Sequence, residues 1–117
     1  MFLVDTSVWV EHFRNGVPAL ATQLAEGVVL MHPCVSGELA CGNLKNRAAV
    51  LSDLNVLPRA EVATDAEVMA LIEKRKLWGR GLGWVDAHLL ASALLSRCRL
   101  WTADKRLLQA AADLALD

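Results

Sequence analysis

Short apolar runs alternate with stretches of helical periodicity along the 117 residues, and that alternation admits few folds. Phe2-Leu3-Val4, Val28-Val29-Leu30-Met31 and Arg99-Leu100-Trp101-Thr102 are too brief for helices and read as strands. Between them, apolar residues recur at helical spacing, as in Val8, Trp9 and Phe13, or Val68, Leu71 and Ile72. Strands alternating with helices predict an α/β fold with a parallel sheet covered on both faces. The continuous apolar run at 28–31 suits a strand buried on both sides. The length fits one domain over residues 1–117, with no linker, repeat or low-complexity segment.

Local signals place the helix ends. Thr6 or Ser7 is expected to cap a first helix that stops at Asn15-Gly16, and Pro18 opens the second. Ser36 is expected to cap a third helix, and residues 47–54 form a fourth. Thr64-Asp65-Ala66-Glu67 is a capping box. A helix follows the loop of Gly79, Gly81 and Gly83, and Asp104 caps the last one, through Ala112. Short strands are expected around Val56-Leu57 and at 114–116.

Four acids stand where a strand or loop gives way to a helix: Asp5, Glu38, Asp86 and Asp104. Each alone has an ordinary reading, since acids cap helix amides and face the positive end of the helix dipole. Together they suggest more. Parallel strands bring their carboxyl ends to one crevice, where ligands bind in open α/β sheets. Gathered carboxylates repel one another and drive up at least one pKa unless a cation sits among them. An all-oxygen anionic pocket favours a hard divalent ion, Mg²⁺ or Mn²⁺. Thr6, Ser7 and Thr102 lie beside Asp5 and Asp104, where hydroxyls can orient carboxylates or hold water as an outer shell of such an ion.

Composition narrows the alternatives. A hydrophobic fraction of 55% and a mean hydropathy of +0.34 supply ample core and some surplus apolar surface for a partner or a homodimer face. The net charge of −1 neither announces nor excludes a nucleic-acid partner, because local patches attract phosphate. Lys74-Arg75-Lys76 with Arg80, and Arg97, Arg99, Lys105 and Arg106, form two basic groups. Cys34, Cys41 and Cys98 lack metal-ligand spacing and read as reduced cysteines of a cytoplasmic protein. No export signal is expected at residues 1–5, and no apolar run is long enough to cross a membrane.

His12, His32 and His88 have no ligand spacing and read as structural or surface residues. The alternating glycines lack the dinucleotide-binding spacing, and no G-x-x-x-x-G-K-S/T loop exists. Trp9 and Trp101 read as core. Trp78 and Trp84 flank the glycine loop near basic residues, where they can pack in a core or dimer face or stack on bases of single-stranded RNA.

Val4-Asp5-Thr6-Ser7-Val8-Trp9, Ser36-Gly37-Glu38-Leu39, Val85-Asp86-Ala87-His88-Leu89-Leu90-Ala91 and Leu100-Trp101-Thr102-Ala103-Asp104 occur in this order. In this the chain resembles PIN-domain ribonucleases, most closely the VapC-type toxins of prokaryotic toxin–antitoxin pairs. The resemblance spans nearly the whole chain. It implies a three-layer α/β/α fold and an acidic quartet of Asp5, Glu38, Asp86 and Asp104. It also implies Mg²⁺- or Mn²⁺-dependent cleavage of RNA, dimerisation, and an antitoxin whose tail blocks the site. The short stretch after the final helix departs a little and implies a short or missing last edge strand.

Two rivals weigh less. A receiver-like phosphoacceptor domain needs adjacent acids after the first strand and an aspartate after a central one. Here Thr6-Ser7 follows Asp5, and no aspartate ends the run at 28–31. A non-catalytic interaction domain of the same fold has no use for four retained acids.

Overall fold

The computed structural model describes residues Met1–Asp117. In chain order the elements are β1 (Phe2–Val4), α1 (Thr6–Asn15), α2 (Pro18–Ala25), β2 (Val29–Leu30), α3 (Pro33–Cys41), α4 (Arg47–Asn55), α5 (Asp65–Arg75), α6 (Trp84–Ser96), β3 (Arg99–Trp101) and α7 (Lys105–Asp113). β1 lies in the middle of a three-stranded sheet of order β2-β1-β3, parallel to both neighbours. Phe2 pairs with Val29 and Arg99, Leu3 with Leu30 and Leu100, and Val4 with Trp101.

Successive strand residues point to opposite faces. Leu3 and Val4 are both fully buried, so helices cover the sheet on both sides in the expected three-layer α/β/α arrangement. The same core takes in Trp9 and Leu20 from the first two helices, Leu39 from α3, Leu89 and Leu90 from α6, and Leu107 from α7. With all strands running one way, their carboxyl ends form one rim. Asp5 follows β1 there and Thr102 follows β3, joined by the Asp5 N–H to Trp101 carbonyl bond of 2.9 Å.

Several local expectations change in detail. Asp5 itself caps α1, accepting from the Thr6 amide, so Thr6 and Ser7 already lie inside the helix. α3 starts three residues before the expected Ser36 cap. Pro33 suits a first helical position, and the His32 ring accepts from the Cys34 amide in the capping role. Ser36 instead donates to the Pro33 carbonyl at 3.2 Å.

No strand forms at Val56-Leu57, where Val56 is 81% exposed. The outer side of β2 is met slightly later, by a bridge of Met31 to Arg59 built from the Met31 N–H to Pro58 carbonyl and Ala60 N–H to Met31 carbonyl bonds. Leu114 and Ala115 form a turn rather than the expected strand, with Ala115 in the left-handed region, yet the Leu116 carbonyl still accepts from the Leu100 amide at 2.7 Å. Both sheet edges are thus partly closed, by two backbone bonds beside β2 and one beside β3.

The Thr64 capping box forms as expected. Trp9 is buried and Trp101 half-buried against the edge of Phe2, whereas Trp78 and Trp84 are exposed, at 58% and 45%, and are not core.

Candidate active site

Asp5 is the innermost acid at the rim, with 7% of its surface exposed. Its Oδ1 accepts from the Thr6 amide at 2.8 Å. Its Oδ2 accepts from the Ser7 and Thr102 hydroxyls, each at 2.8 Å. Each hydroxyl also accepts an amide from the β3–α7 turn: Ala103 N–H on Ser7 Oγ at 3.1 Å, and Asp104 N–H on Thr102 Oγ1 at 3.0 Å. Both hydroxyl protons are committed to Asp5, so the 3.4 Å approach of Ser7 to Thr102 is proximity rather than a bond. A polar lattice therefore fixes Asp5 and ties it to the segment that carries Asp104.

The other three acids are each anchored by one oxygen. Asp104 caps α7, with Oδ1 accepting from the Leu107 amide at 2.9 Å. Asp86 reaches back from the first turn of α6, and its Oδ2 accepts from the Gly83 amide at 2.9 Å. Glu38 projects from α3, and its Oε1 accepts from the Thr6 hydroxyl at 2.7 Å. Asp86 Oδ1, Asp104 Oδ2 and Glu38 Oε2 have no partner within the protein.

Electrostatics tie the four together. Burial pushes the Asp86 carboxyl up, and the charges of Asp5, Asp104 and Glu38 push it further, against the Gly83 N–H that favours ionisation. No three Asp, Glu, His or Cys groups yet stand around a single point as a preformed cage. The rim gathers the acids while amides and hydroxyls hold both oxygens of Asp5 and one oxygen each of Glu38, Asp86 and Asp104. Such a donor set, all oxygen and all anionic, fits Mg²⁺ or Mn²⁺ far better than a softer ion.

The histidines have structural partners. His32 Nδ1 accepts from the Cys34 amide, so its Nε2 carries the proton and donates to Ser92 at 3.0 Å. Burial, with a smaller contribution from His88, lowers the His32 pKa to about 4. His88 Nε2 meets Asp65 at 3.1 Å, so Asp65 braces α6 in addition to opening α5. His12 Nδ1 accepts from the Val17 amide and fixes the α1–α2 turn.

Of the first basic group, Arg80 pairs with Asp113 at 2.7 Å, and Arg75 donates to the Asp113 carbonyl. Those bonds tie the glycine loop and α5 to α7. Two other cations, Arg14 and Lys45, line a cavity that ends at Glu38. Sequence reasoning does not single them out, because they are far apart in the chain and share no motif.

The PIN domain family matches residues 2–113. Ribonuclease VapC32 of Mycobacterium tuberculosis is 50% identical over 114 residues, covering 97% of this chain and 92% of that protein. The match is the same for strains CDC 1551 and H37Rv. A family match over residues 2–113, with 50% identity to that ribonuclease over 97% of the chain, means that this chain belongs to the PIN-domain family, in its VapC-type branch.

Proposed function

We propose that this chain is a metal-dependent endoribonuclease, the toxin of a type II toxin–antitoxin pair, acting as one PIN-like domain over residues 1–117. The observation that carries the reading is Asp86, whose ionisation is opposed by burial and by three other carboxylates on the same rim. Such a cluster has little value for stability and gains its sense from a cation. The relative's name, a ribonuclease at 50% identity, supplies the reaction class.

Asp5, Asp86 and Asp104 would hold Mg²⁺ or Mn²⁺ beside Glu38, and Thr6, Ser7 and Thr102 would orient the carboxylates from behind. Once bound, such an ion supplies positive charge and Lewis acidity beside an RNA phosphate. Glu38 is exposed and anchored through Oε1 alone, which leaves Oε2 to take a proton from the attacking water. Water adds in line to phosphorus, the 3′ oxygen departs and gains a proton, and the products are a 5′-phosphate and a 3′-hydroxyl. The rigid seat of Asp5 keeps the site from reorganising as charge develops.

The partners that go with this reading are an RNA substrate, a cognate antitoxin and a second copy of the chain. Leu94 and Leu95, exposed at 37% and 46% on α6, offer apolar surface for a homodimer. A cytoplasmic site of action fits the three free cysteines, and no helix is long and apolar enough to cross a membrane.

The test is cleavage of structured RNAs by purified protein in Mg²⁺, Mn²⁺ or chelator, beside Asp5→Asn and Asp86→Asn. Cutting should need the ion and fall by at least about 100-fold in each variant, with circular dichroism unchanged. Equal cutting by the variants would identify a contaminating nuclease. Folded wild-type protein that cuts nothing would favour a non-catalytic interaction domain.

A further inference from the structure

A cavity of about 630 Å³ lies between α1, the end of α3 and the start of α4. That falls within the roughly 300–1,000 Å³ usual for sites that enclose small organic groups. Val10, Leu39 and Val50 give it an apolar lining. Phe13 forms an aromatic wall, 37% exposed on one side and stacked on the buried Trp9 at 5.7 Å on the other. Arg14 and Lys45 also line it. The ion pairs of the chain are Arg80–Asp113 and His88–Asp65, so both of these cations are without a carboxylate partner. Glu38 belongs to the cavity and to the acidic rim alike, which makes the two one continuous surface.

We propose that this cavity seats one unpaired nucleotide of the RNA strand beside the scissile phosphate. Its base lies against Phe13 and the apolar lining, and its phosphate lies between Arg14 and Lys45. The proposal rests on the ribonuclease reading above and adds where the strand is gripped. A rim of four carboxylates repels a polyanion, and a cation bound among them offsets this only locally. Two unpaired cations next to the rim supply attraction where the strand must continue. An exposed aromatic ring accepts any base face, but bases within a duplex are already stacked and paired, so the occupant is single-stranded. An apolar protein segment would fill the lining and leave both cations unanswered.

The experiment titrates the full chain into a fluorescein-labelled, mixed-sequence 12-nucleotide RNA and follows anisotropy in chelator, so that no strand is cut. Cleavage in Mg²⁺ is followed in parallel. Phe13→Leu, which keeps apolar packing, and Phe13→Ala should each weaken binding about 5- to 50-fold without changing its salt dependence. Arg14→Ala with Lys45→Ala should weaken it at least about 10-fold and flatten the log–log salt slope by roughly 0.7 per lost phosphate contact. The same RNA annealed to its complement should bind poorly to wild type and should not discriminate the Phe13 variants. Variants that hold and cut RNA as wild type does would overturn the subsite and leave the ribonuclease reading intact. Wild-type protein that neither binds nor cuts would overturn both. RNA affinity retained while affinity for the antitoxin encoded beside the chain is lost would assign the cavity to a protein and overturn the proposal.

Discussion

At Asp86, burial and three like charges act against one hydrogen bond from Gly83, and the carboxyl is raised above its ordinary 3.8. The folded state therefore holds this proton more tightly than the unfolded chain does. Stability contributed by the protonated group is lost as pH rises from 3.8 through the raised folded value. In chelator at neutral pH, Asp86→Asn should raise the melting temperature by a few degrees, measured calorimetrically, because the amide oxygen keeps the Gly83 bond and the repulsion disappears. Added Mg²⁺ should reverse the order, stabilising wild type by linkage and the variant little. His32 works in the opposite direction. Its pKa falls from 6.5 to about 4 on folding, so its contribution is complete above 6.5 and is lost as pH drops through that window. Chemical denaturation should show about 2 kcal/mol lost from this residue between pH 7 and pH 5, and His32→Asn should flatten that loss.

At the scale of elements, α6 depends on the glycine loop before it. Gly81 has φ of +77°, and a Cβ there would stand 2.6 Å from the Arg106 side chain. Gly81→Ala should cost about 1–2 kcal/mol in urea denaturation and lower cleavage activity, since the loop sets the Gly83 amide that holds Asp86. Elements whose signals are local were legible in the sequence. The Thr64 box, Pro18 at the head of α2 and the apolar run of β1 all act within a few residues of themselves. The start of α3 was not, because Ser36 is an equally good local cap. Pro33 and the bond of His32 to distant Ser92 decide between them. The strand expected at Val56-Leu57 failed for a similar reason: β2 meets the chain only at Arg59, after the turn that ends α4.

For the whole molecule, topology turns scattered acids into one rim. Three parallel strands put Asp5 and Thr102 side by side, Asp104 caps α7 just beyond β3, and α3 and α6 bring Glu38 and Asp86 near the same end. The placement of Asp5 and Asp104 was readable from the alternation of strand and helix, since parallel strands end on one rim, whereas Glu38, inside α3, and Asp86, in the first turn of α6 after a loop, depend on how those helices pack. The cavity of Phe13, Arg14 and Lys45 was not, because it exists only where α1 packs across α3 and the turn into α4. No periodicity encodes such a meeting of side chains.

Whether the acidic rim binds a divalent ion is tested most plainly by calorimetric titration of Mn²⁺ into the metal-free protein at about pH 7.5, for wild type, Asp5→Asn, Asp86→Asn, Asp104→Asn and, as a control away from the rim, Asp53→Asn. Wild type and the control should bind saturably, with affinity weakened about 10-fold or more by each rim substitution. Equal Mn²⁺ affinity in all five proteins, or none in the folded wild type, would rule out a cation site on the rim.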